Sequence, residues 1–284
     1  SGPPSDSEPP AETGFRPCEA DLLGVRGSAS SIADVNEDGY QDLLIVGEDS
    51  NGAPTSSLYL GEGDGDFVKA DVDLAGVQIY SETSLTDIDG DGHLDIFING
   101  EDEKNRDVAK LYWGHGDGSF SEANLDLAGG EAGSHSIADI NDDGHQDILI
   151  TGLETESHKT TLYLGNGNRT FTEANADLPK VTFGSTSIAD VNGDGHSDLL
   201  ITGRRSFEEN FSALYLGDGD GGFSRANAEL TGLQLSSSSI TDFNGDGHPD
   251  LFITGLDANG NVLATLHLGN GDGTFSEAET SVSG

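Results

Sequence analysis

An acidic motif returns five times along this chain: DVNEDGYQD from Asp34, DIDGDGHLD from Asp87, DINDDGHQD from Asp139, DVNGDGHSD from Asp190 and DFNGDGHPD from Asp242. Successive copies start 53, 52, 51 and 52 residues apart. Two further signals keep the same phase. An apolar segment ends on Gly61, Gly114, Gly165, Gly217 and Gly269, and a Gly-rich turn then leads to Phe67, Phe120, Phe171, Phe223 and Phe275. A chain of this kind is built from one repeated supersecondary unit. Such a unit cannot cover its apolar faces alone and must stack on its neighbours.

Each unit reads as four short strands. The first precedes the acidic loop, the second follows it, the third is the LYLG-like segment and the fourth starts at the Phe. All are rich in β-branched and aromatic residues and are bounded by Gly, Asp and Asn. No stretch of useful length carries a helical period. The expectation is an all-β fold, a β-propeller of four-stranded blades, with five loops giving five blades. A sixth copy of the Phe-started strand, FRPCEADLLG from Phe15, is expected to complete the last blade and latch the ring. Residues 1–13, rich in Pro, Ser and acid, read as a flexible linker. Residues 14–284 then form a single propeller domain, its blades centred on Asp34, Asp87, Asp139, Asp190 and Asp242.

The loops carry oxygen donors at alternate positions. Positions 1, 3, 5, 7 and 9 are Asp34, Asn36, Asp38, Tyr40 and Asp42 in the first loop, and Asp87, Asp89, Asp91, His93 and Asp95 in the second. They are Asp139, Asn141, Asp143, His145 and Asp147 in the third, and Asp190, Asn192, Asp194, His196 and Asp198 in the fourth. The fifth has Asp242, Asn244, Asp246, His248 and Asp250. Position 7 would contribute its backbone carbonyl, and Gly at position 6 permits the tight turn. Hard oxygens in this pattern suit Ca²⁺, about five ions in all. The loop differs from an EF-hand, because position 12 is Ile45, Ile98, Ile150, Ile201 or Ile253 rather than Glu.

The recurring D-x-[DN]-x-D-G-x-x-D-[LI], followed by a strand, resembles the FG-GAP/VCBS repeat family. The match runs from about residue 15 to 280. Blades of that family form integrin α-subunit-like β-propellers. The resemblance implies a Ca²⁺ in each hairpin loop, held at the positions just named. It also implies a secreted or cell-surface protein that serves in recognition or adhesion.

Composition narrows the partners. The chain has 52 acidic and 12 basic residues, a formal net charge of −40. That balance disfavours nucleic acid and anionic membrane surfaces. No apolar run approaches the roughly 18 residues of a membrane span. Cys18 is the only cysteine, so no intrachain disulfide or Cys-based metal site is available. Low hydrophobicity with high charge would suggest disorder in a chain without such a repeat.

The acidic loops and Gly-rich turns fall at one end of the blades. The remaining connections fall at the other end and vary from repeat to repeat, which is where specificity is normally built. Eight of the 12 basic residues lie in those variable connections. Candidate ligand contacts there are Arg26, Tyr80, Arg106, Phe183, Arg204, Arg205 and Phe207, for an extracellular protein or glycan. Catalysis is not expected. The histidines of position 7 follow the repeat, and His115, His135, His158 and His267 have no evident partners. No acid stands out from the fivefold pattern, as a catalytic one should. The alternatives are a polysaccharide-acting enzyme or accessory propeller, and a passive spacer in an adhesin.

Overall fold

A computed structural model describes residues 22–278, except 79, 155–156 and 208. The expected linker and most of the FRPCEADLLG copy lie outside the described residues. The described chain forms five four-stranded antiparallel sheets and no helix. Strands β1 (Arg26–Ala33), β2 (Asp42–Glu48), β3 (Pro54–Gly61) and β4 (Phe67–Lys69) make the first blade. The second has β5 (Glu82–Thr86), β6 (Asp95–Glu101), β7 (Asp107–Gly114) and β8 (Phe120–Glu122). The third has β9 (His135–Ala138), β10 (Asp147–Glu154), β11 (Ser157–Gly165) and β12 (Phe171–Ala174). The fourth has β13 (Thr186–Ala189), β14 (Asp198–Ser206), β15 (Glu209–Gly217) and β16 (Phe223–Arg225). The fifth has β17 (Gln234–Thr241), β18 (Asp250–Leu256), β19 (Val262–Gly269) and β20 (Phe275–Glu277). In every blade the strands pair in chain order. The described residues form a β-propeller of five blades.

The first strands are innermost and bond from blade to blade. Ser31 Oγ donates to the Thr83 carbonyl at 2.8 Å, Ser136 Oγ meets Thr186 Oγ1 at 2.7 Å, and Ser187 Oγ meets Ser238 Oγ at 2.8 Å. The second strands are continuous apolar runs because both of their faces are covered. Leu44 and Val46 of β2 pack against Ile96 and Ile98 of β6, while Phe97 packs with Ile148 and Ile150 of the next blade. The same alternation joins Leu149 to Leu199 and Ile201, and Leu200 to Leu251 and Ile253. The apolar core is thus a series of layers between blades.

Among the described residues, no comparable cluster joins the fifth blade to the first. The residue at loop position 2 shows the difference. Val35, Ile88, Ile140 and Val191 are 2%, 4%, 1% and 0% exposed, but Phe243 is 49% exposed. Leu43 and Ile45 are partly open on the first blade, although their counterparts in the other blades are buried. The last blade takes its outer strand from Phe275–Glu277, and the segment from Phe15 expected to latch the ring lies, up to residue 21, outside the described residues.

Truncating a covered position 2 should be costly. Ile140→Ala is expected to lower unfolding free energy by about 2–5 kcal/mol. Phe243→Ala, at the equivalent position, should cost less than about half of that. Urea unfolding measures both, and equal losses would show that the fifth and first blades pack together in solution.

Candidate metal loops and binding rim

The acidic loops are shaped by their own carboxylates. The position 1 aspartates accept the backbone N–H of the position 6 glycine at 2.8–2.9 Å in all five loops. The position 5 aspartates accept the N–H of position 7 at 2.8–2.9 Å. Asn36, Asn141, Asn192 and Asn244 donate to the position 5 carboxylate at 2.8–2.9 Å. The structure thus brings positions 1, 3 and 5 of each loop together. In the second loop, Asp87, Asp89 and Asp95 offer carboxylate oxygens within 4.8 Å of one another. That is a hard-oxygen donor set of the kind a divalent cation takes.

Position 9 has a second role that sequence reading missed. Asp42, Asp95, Asp147, Asp198 and Asp250 are each 0% exposed. One oxygen accepts the position 2 N–H at 2.8–2.9 Å. The other accepts the N–H of Gly61, Gly114, Gly165, Gly217 or Gly269 at 2.7–3.0 Å. Burial raises the pKa of Asp42, Asp147 and Asp198, and pushes Asp95 up to about 6. The two N–H donors oppose the rise. Those glycines have no room for a side chain, because a Cβ would collide with the position 8 carbonyl. This is why every LYLG-like segment ends on Gly.

Adjacent loops are tied across blades. His93 Nδ1 meets Glu37 at 2.5 Å, and His196 Nδ1 meets Asp142. Both histidines are raised in pKa by these hydrogen bonds. Position 7 of one loop therefore pairs with an acid at position 4 of the preceding loop. Arg169 stands where Gly65, Gly118, Gly221 and Gly273 stand in the other turns. It reaches Asp89 at 2.5 Å and Asp91 at 2.9 Å, and its guanidinium lies 5.3 Å from the Trp113 ring. Asp89 replaces the Asn of the other four loops, so an extra charge meets a local cation.

The variable end does not gather all the expected contacts. Tyr80 and Phe183 meet edge to face at 5.6 Å. Arg204 lies over Phe183 at 4.8 Å and over Phe207 at 4.9 Å. Phe207 is 93% exposed and Tyr80 48%. These four form one cluster. Arg26 instead pairs with Glu48, and Arg106 closes its own turn on Asp102 at 2.5 Å. Arg205 lies over Phe211 at 5.0 Å and meets Glu209 at 3.2 Å.

His135 does have partners. Its backbone N–H donates to Glu82 Oε2 at 2.7 Å, and its Nε2 meets Ser84 Oγ at 2.6 Å. Its ring stacks edgewise on Phe97 at 4.8 Å. Burial pushes the imidazole down to about 4, so it is neutral. Glu82 keeps 38% of its side-chain surface open. Burial nonetheless pushes its carboxyl up to about 7 against the N–H of His135 and the hydroxyl of Ser134. Comparing residues five before each loop would have found it, since the others are Ala29, Ser134, Ser185 and Ser237.

A model of the FG-GAP-like repeat matches residues 34–98, 87–150, 139–201 and 242–284. The human T-cell immunomodulatory protein is 23% identical over 262 residues, covering 88% of this chain and 42% of that protein. Integrin alpha-4 of Xenopus laevis is 29% identical over 156 residues, covering 46% of this chain and 14% of that protein. The chain spans less than half the length of these curated relatives. Among solved structures, an Agrocybe aegerita lectin described as recognising non-reducing terminal N-acetylglucosamine has a similar fold, with TM-score 0.63 and 23% identity. That likeness covers 92% of this chain and 67% of the lectin chain.

The expectation of no catalysis is corrected. Its premise was that no acid departs from the fivefold pattern, and Glu82 does. Solved structures aligned along this chain also include a β-xylosidase, with TM-score 0.47, 12% identity and 89% of this chain covered against 94% of that one. That likeness is too remote to assign a reaction, but the ground for excluding one is gone.

The Glu82 carboxyl predicts a pH effect of known sign. Its folded pKa of about 7 exceeds the ordinary 4.5, so the folded chain binds more protons between those values. Its contribution to stability is present at acid pH and lost as pH rises through 7. His135 acts in the opposite sense between its ordinary 6.5 and about 4. Glu82→Gln removes only the first effect. The melting temperature of Glu82→Gln minus that of the parent should therefore grow more positive from pH 5 to pH 8. A flat difference would contradict the raised carboxyl.

Proposed function

The chain belongs to the FG-GAP-like repeat family, and from that premise we propose that it is a calcium-stabilised recognition module of a secreted or cell-surface protein. Ca²⁺ would be held by the side chains of loop positions 1, 3, 5 and 9 and by the position 7 carbonyl. The donor chemistry fits, with three carboxylates converging in the second loop. The ion would supply charge neutralisation within a chain of net charge −40 and would brace each hairpin. Catalysis is not required of it.

The ligand docks on the variable end, and carbohydrate is the class best supported. The observation that carries this is the cluster of Tyr80, Phe183, Arg204 and Phe207, which leaves Phe207 93% exposed. An exposed ring beside a polar, charged group offers both the apolar face and the hydrogen bonds that a sugar needs. The lectin fold likeness supports the same reading, and the integrin and immunomodulatory relatives support an extracellular setting. No described helix is long and apolar enough to cross a membrane.

Two outcomes are expected. A loop loaded at a hundred times its Kd adds about 2.7 kcal/mol, and each kcal/mol moves Tm by about 2–4 °C at this size. Excess EDTA should thus lower Tm by about 10 °C or more, with recovery on adding Ca²⁺, and an unchanged melting curve would defeat the metal reading. On a glycan array with Ca²⁺, Arg204→Ala, Phe183→Ala and Phe207→Ala should each weaken a bound glycan by about tenfold. Undiminished binding by all three would move the site elsewhere.

A further inference from the structure

The innermost strands carry a second departure from the repeat. Glu82 replaces the Ala or Ser of the other blades, and His135 replaces the Ser30, Thr83, Thr186 and Ser238 found at its register. The two changes meet, since His135 Nδ1 lies 3.3 Å from Glu82 Oε2. They stand beside a groove of about 400 Å³ along the axis, lined among others by Ser31, Thr83, Ser84, Thr86, His135 and Ser136. Ile32, 65% exposed, also lines it, so the groove is open to solvent.

Two polar atoms there have no hydrogen-bond partner although they are shielded from solvent: His135 Nδ1 and Thr83 Oγ1. The His135 side chain is 3% exposed. A buried donor or acceptor left unmade costs about 1–3 kcal/mol. Such a cost is tolerated at a site completed by a ligand. The remaining lining is the hydroxyls of Ser31, Thr83, Ser84, Thr86 and Ser136, with Ile32, Leu85 and Ile137 between them. A fixed cation or anion would call for one sign of charge. A neutral imidazole and five hydroxyls, with the Glu82 carboxyl beside the imidazole, instead match an uncharged molecule bearing several hydroxyls.

We propose that this axial groove is a saccharide subsite, in which Glu82, His135 and Ser84 hydrogen-bond the hydroxyls of one neutral sugar residue. The proposal rests on the carbohydrate reading above and adds a site to it. The cluster of Tyr80 and Phe183 lies in the segments leading to β5 and β13, at the end of the axis where Glu82 stands. Both residues adopt a left-handed backbone, with φ of 62° and 52°, at the register held by Gly27, Ala132 and Leu235 elsewhere. A longer glycan on the exposed rim would thereby place one residue at the axis.

The test uses the whole chain with Ca²⁺ and a panel of monosaccharides, glucose, xylose, galactose, mannose and N-acetylglucosamine, by saturation-transfer NMR and shift titration. Glu82→Ser and His135→Thr install residues the other blades already use, so both variants should fold. At least one sugar should bind with millimolar affinity, shift the His135 imidazole signals, and bind at least about tenfold more weakly to either variant. Phe207→Ala should leave that monosaccharide binding unchanged. Binding lost in Phe207→Ala but kept in Glu82→Ser and His135→Thr would overturn the axial subsite and leave the rim reading intact. Binding of no sugar at all, with none on the glycan array, would overturn both.

Discussion

A buried aspartate in each blade holds the repeat together. Asp42, Asp95, Asp147, Asp198 and Asp250 each tie the start of the acidic loop to the end of the third strand through two backbone N–H groups. Placing a carboxylate out of water is costly unless it is well hydrogen-bonded. Two charge-assisted bonds offset part of that cost, and burial outweighs them in four of the five, whose pKa values are raised. A cation at the mouth of the loop would favour the ionised form. The same residue thus serves the fold and the candidate metal site, which is why removing it would not isolate either role.

The blades then assemble by stacking apolar layers, with polar ties at both ends. At the loop end the ties are ionic, as in Glu37 with His93 and Arg169 with Asp89. The Glu37–His93 pair is exposed and individually weak, whereas the Asp89 carboxylate is buried beneath Arg169. Along the axis they are hydroxyl to hydroxyl or to carbonyl, and only the second and third blades substitute Glu and His. The variable end carries the aromatic and arginine cluster. Departures from the repeat thus fall at the variable end, along one stretch of the axis, and at the loop end where Arg169 meets Asp89.

Much of this was legible in the sequence because the repeat multiplies each signal by five. Strand order, blade number and loop shape follow from residues close together in the chain. Contacts between blades were harder to read. His93 and Glu37 are 56 residues apart, and Arg169 and Asp89 are 80 apart. Their pairing depends on how loop meets loop once blades stack. Comparing each repeat with its neighbour, rather than with the consensus, would have exposed them. Arg169 breaks a Gly register and Asp89 breaks an Asn register, and each explains the other. At the rim, long side chains such as Arg26 and Arg106 are met by local acids, a pairing that the repeat pattern does not reveal. Backbone pairing places the Phe275 strand, counted in the sequence as the fourth of its unit, at the outer edge of the last blade.

The most direct test of the account is a crystal structure grown in millimolar calcium, with anomalous difference maps. Five peaks are expected, one per acidic loop, each about 2.3–2.6 Å from the carboxylate oxygens that converge there. Ordered hairpins without such peaks, their aspartates bonded only to backbone amides, would contradict it.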